Sequence, residues 1–126
     1  MATVEVVSFG FLHGAPPAAD VVVDLRQHFR DPHVSRELRE LTANDAPVRA
    51  AVLGTPGVRQ LVEATAAVVD AMASGPSAGI VTVAAGCAGG RHRAPTVARE
   101  VASRLIAAGH AVIVHHRDLD KPVVWR

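Results

Sequence analysis

A chain of 126 residues with 13 basic and 12 acidic side chains is sized for one domain around one core, here residues 1–126. Its 49% hydrophobic and 20% charged content excludes a disordered chain. A formal charge of +1 gives no support for bulk nucleic-acid binding, which leaves a clear basic excess. No apolar run nears the ~20 residues of a membrane span, and no basic segment followed by an apolar secretory stretch opens the chain. The expected location is the cytoplasm. Cys87 is the sole cysteine, which agrees with a reducing compartment.

In chain order, Val4–Phe11 alternates in part and ends near a glycine, as a first strand does. His13–Ala19, with Gly14 and paired prolines, reads as a loop. Asp20–Arg26 is nearly continuous in apolar residues, which predicts a central strand covered on both faces, with Asp24 and Arg26 at its end either pointing into a ligand crevice or forming a plain surface ion pair. The polar stretch Gln27–Pro47 reads as an irregular segment with a short helix over Val34–Leu41. Segments of this length tend to be functional.

Thr55 is suited to cap a helix begun by Pro56, whose face is Val58, Leu61, Val62, Thr65, Val68, Val69 and Met72. Ser74–Ser77 closes it. Gly79–Ala85, short and β-branched, is the central strand. Pro95 then suits the first turn of a helix carrying Val97, Val101, Ala102, Leu105 and Ile106, and Gly109 suits its C-terminal cap. Ala111–His116 is the last strand, with His115 and His116 facing opposite ways. The tail Pro122–Arg126 shows no element.

Between central strand and helix lies Gly86-Cys87-Ala88-Gly89-Gly90-Arg91-His92-Arg93-Ala94. Its glycines let backbone approach a ligand closely, a helix start offers unpaired N–H groups, and three basic side chains add charge. The combination points to an anion, most simply a phosphate. Cys87 and Arg93 are also spaced as C-x5-R, the arrangement of cysteine phosphatases, where a thiolate attacks the phosphate. That reading needs a general acid, for which Asp31, Asp45 and Asp118 are candidates, and it sits beside a non-catalytic binding role. The seven histidines show no compact metal-ligand spacing, and no G-x4-G-K-[ST] sequence is present, so neither a metal nor an ordinary nucleoside-triphosphatase site is expected.

The motifs Ser8-Phe9-Gly10-Phe11, Asp24-Leu25-Arg26, Asp31-Pro32-His33, Arg39–Val48, Gly86–Arg93 and His116–Lys121 fall in the order of the C-terminal domain of the RNase adapter protein RapZ family, which the chain resembles over nearly its whole length. The resemblance implies an α/β unit that senses an amino-sugar phosphate such as glucosamine-6-phosphate. It further implies an oligomer, a protein partner and, in some members, binding of small regulatory RNA. Carried over by matching positions, the ligand site is Cys87, Ala88, Gly89, Gly90, Arg91, His92 and Arg93, with His33, Arg26, Thr42 and Asp45. Leu12 stands where a lysine is common, Ala88 and Ala94 stand where threonine and serine are usual, and the tail lacks a lysine-rich segment.

The expectation is therefore a single α/β domain, a mostly parallel sheet of about four strands flanked by helices. It binds a small phosphorylated metabolite, without a cofactor, at the loop after the central strand, as a sensor or adapter. Turnover by Cys87 and Arg93, or a role as an RNA-binding module, are the alternatives.

Overall fold

The computed structural model describes residues 3–76 and 79–125, in which the β-branched stretches form four strands. These are β1 (Thr3–Gly10), β2 (Val21–Asp24), β3 (Ile80–Cys87) and β4 (Ala111–His116), ordered β2-β3-β1-β4. Every pairing is parallel. Val6 stands beside Val83 on one side and Val114 on the other, and Val23 stands beside Ala85. The crossovers that parallel neighbours require carry three helices, α1 (Ala46–Leu53), α2 (Val58–Ala73) and α3 (Arg93–Ala107). The chain is a small α/β domain, as expected. Ser77 and Arg126, placed in the expected turn and tail, lie outside the described residues.

Side-chain parity along the strands decides where the core sits. Val4 and Val6 of β1 and Val81, Val83, Ala85 and Cys87 of β3 point the same way. They share one buried cluster with Val48 and Val52 of α1, Val62 and Val69 of α2, and Val97, Val101 and Leu105 of α3. Each such fully buried valine contributes about 1.5 kcal/mol or more. All three helices therefore lie on one face. The opposite parity holds Val22, Ile80 and Ile113, which are exposed, and Glu5 and Thr82, which are half-exposed. Only toward the carboxyl end is that second face closed, by the rings of Phe9 and Phe11 at 4.8 Å and by Arg26 lying 3.6 Å over Phe11.

Four details depart from the sequence reading. The strand of Asp20–Arg26 is not central: β2 is only four residues long and sits at the sheet's edge, with Val22 and Asp24 exposed. Its apolar run serves packing on one face alone. Over Val34–Leu41 there is no α-helix. A 3-10 turn spans Pro32–Val34, and single turns such as Arg39 N–H to Ser35 O follow. The helix α1 goes unread in the sequence, although Asp45 at its start, Pro47 in its first turn and the buried pair Val48 and Val52 at helical spacing announce it. Thr55 does not cap α2. Its hydroxyl donates to Ala51 O at the end of α1, and α2 is entered through Gly57 at φ +92°. Within α2, Val58, Val62, Thr65, Ala66 and Val69 are buried, whereas Val68 and Met72 are exposed.

The second long helix is as expected. Pro95 lies in its first turn, and Gly109 follows its end at φ +96°. Gly109 N–H donates to Ile106 O at 2.9 Å and His110 N–H to Leu105 O at 3.1 Å, the paired closure of a Schellman cap.

Candidate functional site

The central strand β3 runs two residues further than its apolar run suggests, to Cys87, and α3 begins at Arg93, so the connecting loop is only residues 88–92. The glycines here answer first to packing. A Cβ on Gly10 would lie 2.6 Å from Gly89 O and 2.7 Å from Gly90 N, so the end of β1 touches the loop backbone to backbone. Gly90 sits at φ +77°, where a Cβ would also come within 2.7 Å of Gly10 N and 2.9 Å of the Asp118 Cβ. The close approach that the glycines permit is made, in this structure, to another strand.

Cys87 is 2% exposed. Its Sγ accepts the N–H of Gly90 at 3.3 Å and of Ala94 at 3.4 Å, so the sulfur ties loop and helix start to the strand end.

Arg93, expected to face a ligand phosphate, points inward instead and is itself 2% exposed. Its Nη1 donates to the carbonyls of Leu25 at 2.8 Å, Phe29 at 3.1 Å and Arg26 at 3.2 Å, and its Nη2 pairs with Asp31 at 3.1 Å. The guanidinium thereby gathers the chain that leaves β2. The physical reason is that Leu25–Phe29 is not a regular element, so its carbonyls lack strand or helix partners and take a buried cation's donors. Arg91 does the same for two other segments, donating to Lys121 O at 2.8 Å and Glu40 O at 3.0 Å. His92 is buried, and its Nε2–H donates to Leu41 O at 2.7 Å. Burial pushes its pKa below the usual histidine value against that hydrogen bond and the Asp31 charge, so the ring is neutral at pH 7.

Around these anchors lies a small cavity of about 10 Å³, lined by Asp31, His33, Cys87, Gly89, Arg91 and His92 and bordered by Val123 and Val124 of the tail. That volume holds a single water molecule. The structure thus brings His33 to Cys87, Gly89, Arg91 and His92, as the sequence suggested. Ala88 and Gly90 flank the cavity, the former accepting Leu12 N–H through its carbonyl. The other three residues are engaged elsewhere. Arg26 pairs with Asp24 at 2.7 Å on the surface. Thr42 donates its N–H to Asp45 Oδ2 at 2.9 Å, a turn that leads into α1. Arg91 hydrogen-bonds only neutral carbonyls among the described residues, whereas Arg93 has a carboxylate. Among the described residues the N–H groups of Gly89, Arg91 and His92 have no acceptor, and the buried Nε of Arg91 and of Arg93 have none either. Missed from the sequence as cavity residues were Val123 and Val124, while Asp31 was weighed only as a general acid. Asp31-Pro32 at a turn start was a usable signal, and the tail gave none.

The three carboxylates weighed as general acids are already committed. Asp31 holds Arg93, and Asp45 holds the Thr42 amide. Asp118 is fully buried and accepts Gly10 N–H at 2.7 Å, with Arg117 Nη2 at 2.9 Å and Lys121 Nζ at 2.6 Å. Burial alone would raise its pKa, but Arg117, the Gly10 amide and Lys121 outweigh that and hold it down at about 2. His116 faces the helix side, with Nδ1 at 2.6 Å from the Ser8 hydroxyl, and His115 is exposed. Among the described residues no group of three or more histidine, cysteine or acidic side chains is placed to hold a metal ion, and no helix is long and apolar enough to cross a membrane.

Fold and loop together define a class: small α/β domains with a polar loop at the carboxyl end of a central parallel strand, where such sheets hold their ligands. Within that class, the chain belongs to the RapZ C-terminal domain family, whose model matches residues 2–120. It is similar to a nucleotide-binding protein of Thermobifida fusca, 40% identical over 120 residues that cover 93% of this chain and 40% of the relative. A nucleotide-binding protein of Streptomyces coelicolor is 39% identical over 119 residues, covering 92% of this chain and 40% of its own length. One of Rubrobacter xylanophilus is 40% identical over 127 residues, covering 94% and 41%. The chain spans about two fifths of the length of these relatives.

Proposed function

We propose that this domain is a non-catalytic binding module for a small phosphorylated metabolite, taken up at the loop after β3 and read out as a sensor or adapter. The observation that carries the reading is the set of N–H donors without acceptors around Gly89, Arg91 and His92, beside an arginine whose charge meets only carbonyls. A phosphate supplies acceptor oxygens and negative charge together. Family membership supports an amino-sugar phosphate such as glucosamine-6-phosphate as the ligand class. The name shared by the relatives, nucleotide-binding protein, also fits a phosphorylated ligand, so nucleotides belong in the test.

In its present form the cavity accommodates one water, so a sugar phosphate enters only as Val123 and Val124 move aside. The inward-facing Arg93 and the buried sulfur of Cys87 favour binding over turnover, because neither group stands open to a phosphoryl centre. The test is a titration followed by backbone amide NMR. Glucosamine-6-phosphate is expected to move the amide signals of Gly89, Arg91 and His92, with unphosphorylated glucosamine moving them far less. Absence of shifts at that loop with glucosamine-6-phosphate, inorganic phosphate and nucleotides alike would refute the reading.

A further inference from the structure

The two edges of the sheet are finished very differently. At β2 the edge is four residues long and bracketed by Asp20 and Asp24, the short and charged border that protects an edge from pairing. At β4 the edge runs for six residues, Ala-Val-Ile-Val-His-His, with neither lysine nor proline nor acid in it. Its pairing direction is fixed by Arg117, whose N–H donates to Ser8 O of β1 at 2.9 Å. Alternation along the strand then turns Ala111, Ile113 and His115 toward β1 and leaves the N–H and C=O groups of Val112, Val114 and His116 facing outward, where none of the described residues forms a further strand.

Beside that row of unpaired groups is a groove of about 410 Å³ between β4 and α3, with Asn44 and Ser103 also on its wall, and separated from the loop after β3 by Ala43, whose N–H donates to Arg91 O at 2.9 Å. Its floor is apolar, from Ala102, Ile106 and Val114, the last two 58% and 40% exposed. Arg99, one helical turn before Ala102, and His116 mark its other end. No carboxylate lines it. The Nδ1 of His116 is held by Ser8, and burial and then Arg99 lower its pKa, so the groove's standing charge is the exposed guanidinium of Arg99.

We infer that β4 and α3 form a docking site for an extended segment of a partner protein, which adds to the sheet as a strand beside β4. The row Val112, Val114 and His116 supplies main-chain hydrogen bonds, and the groove reads the side chains. A strand advances about 3.3 Å per residue, so side chains two positions apart fall on the same face. An apolar side chain enters between Ile106 and Val114, and an acidic one on the same face, toward the carboxyl end of β4, meets Arg99. The partner segment is therefore a short stretch of alternating pattern carrying one aliphatic and one acidic residue, without proline. The docking site rests on the open β4 edge and the apolar pair Ile106 and Val114, so it stands independently of the metabolite site.

The test uses the 126-residue chain as the target of a displayed library of random seven-residue peptides, with Arg99→Glu as the counter-target. Arg99 is exposed and its Nη1 donation to Ala43 O is long at 3.4 Å, so the variant is expected to fold, which an unchanged amide spectrum away from the groove checks. Enriched peptides are expected to combine an aliphatic with an acidic residue on one strand face. They should slow hydrogen exchange at the amides of Val112, Val114 and His116, lose at least tenfold in affinity against Arg99→Glu, and lose binding when alternate peptide nitrogens are methylated. Failure to enrich against the parent over the counter-target overturns the inference. So does enrichment of peptides whose protection maps away from β4, or a solution dimer of the parent that Val114→Lys converts to monomer, since a second copy would then be the occupant.

Discussion

The carboxyl end of the sheet and its β4 edge show opposite ways of treating backbone polarity. At the carboxyl end, charged side chains are engaged inside the fold: buried Arg93 by three carbonyls, half-buried Arg91 by two, and buried Asp118 by an amide and two cations. At the β4 edge, three residues keep their outward groups unmet and their neighbours apolar. Folding therefore depends heavily on the first region and hardly at all on the second. A region tied this tightly holds a loop at fixed geometry, whereas an open edge is free to accept a partner without disturbing the core.

Substitutions sort along that contrast. The largest effect is expected at Arg93, because removing its fully buried side chain takes the guanidinium from the half-buried Asp31 and the donors from three carbonyls. Arg93→Ala should cost about 3–5 kcal/mol in chemical denaturation. Equal midpoints for mutant and parent would show that the gathered carbonyls do not need it. Next is Gly90→Ala, which forces a Cβ into positive φ and against Gly10 and Asp118. It should cost about 3 kcal/mol. Gly109→Ala shares the positive φ but meets open space, and should cost only about 1 kcal/mol. A similar loss at both positions would remove close packing as the reason for Gly90.

Asp118 comes third and carries a pH signature. Its carboxyl titrates at about 2 in the fold against 3.8 ordinarily, so the unfolded chain binds the proton first as pH falls. The resulting stability, about 2 kcal/mol, is fully present above roughly pH 4 and is lost as pH drops toward 2. Thermal melts of Asp118→Asn should lie below the parent at pH 7 and converge with it near pH 2. A gap that stays constant with pH would mean the loss is one of shape, not charge. Smallest is Ile113→Lys on the uncovered face beside Glu5, expected to change stability by no more than about 0.5 kcal/mol. A larger loss would show that this face is covered in solution.

Much of the fold was legible because periodicity is local. The last strand was placed at Ala111–His116, and Gly109 at the helix end, since β-branched runs and a glycine cap need no tertiary information. The edge position of β2 was not legible, because strand order is set by pairing and Val21-Val22-Val23 reads the same at an edge as at a centre. At the site, sequence reasoning identified Cys87, Gly89, Arg91, His92 and His33, which do meet around one cavity. It did not foresee the inward course of Arg93, since an arginine beside glycines has the same composition whether it faces solvent or dives beneath the loop. Its real partners, the carbonyls of Leu25, Arg26 and Phe29, lie 64 to 68 residues away in sequence.

The sulfur of Cys87 turns the loop into its own clock. Because this lone thiol is enclosed and accepts the amides of Gly90 and Ala94, a dissolved alkylating reagent reaches it only when strand end and helix start part company. The rate at which the native chain is labelled thus measures how often that junction opens, without any introduced probe. A compound that closes the loop should slow labelling even where it leaves the melting temperature unmoved.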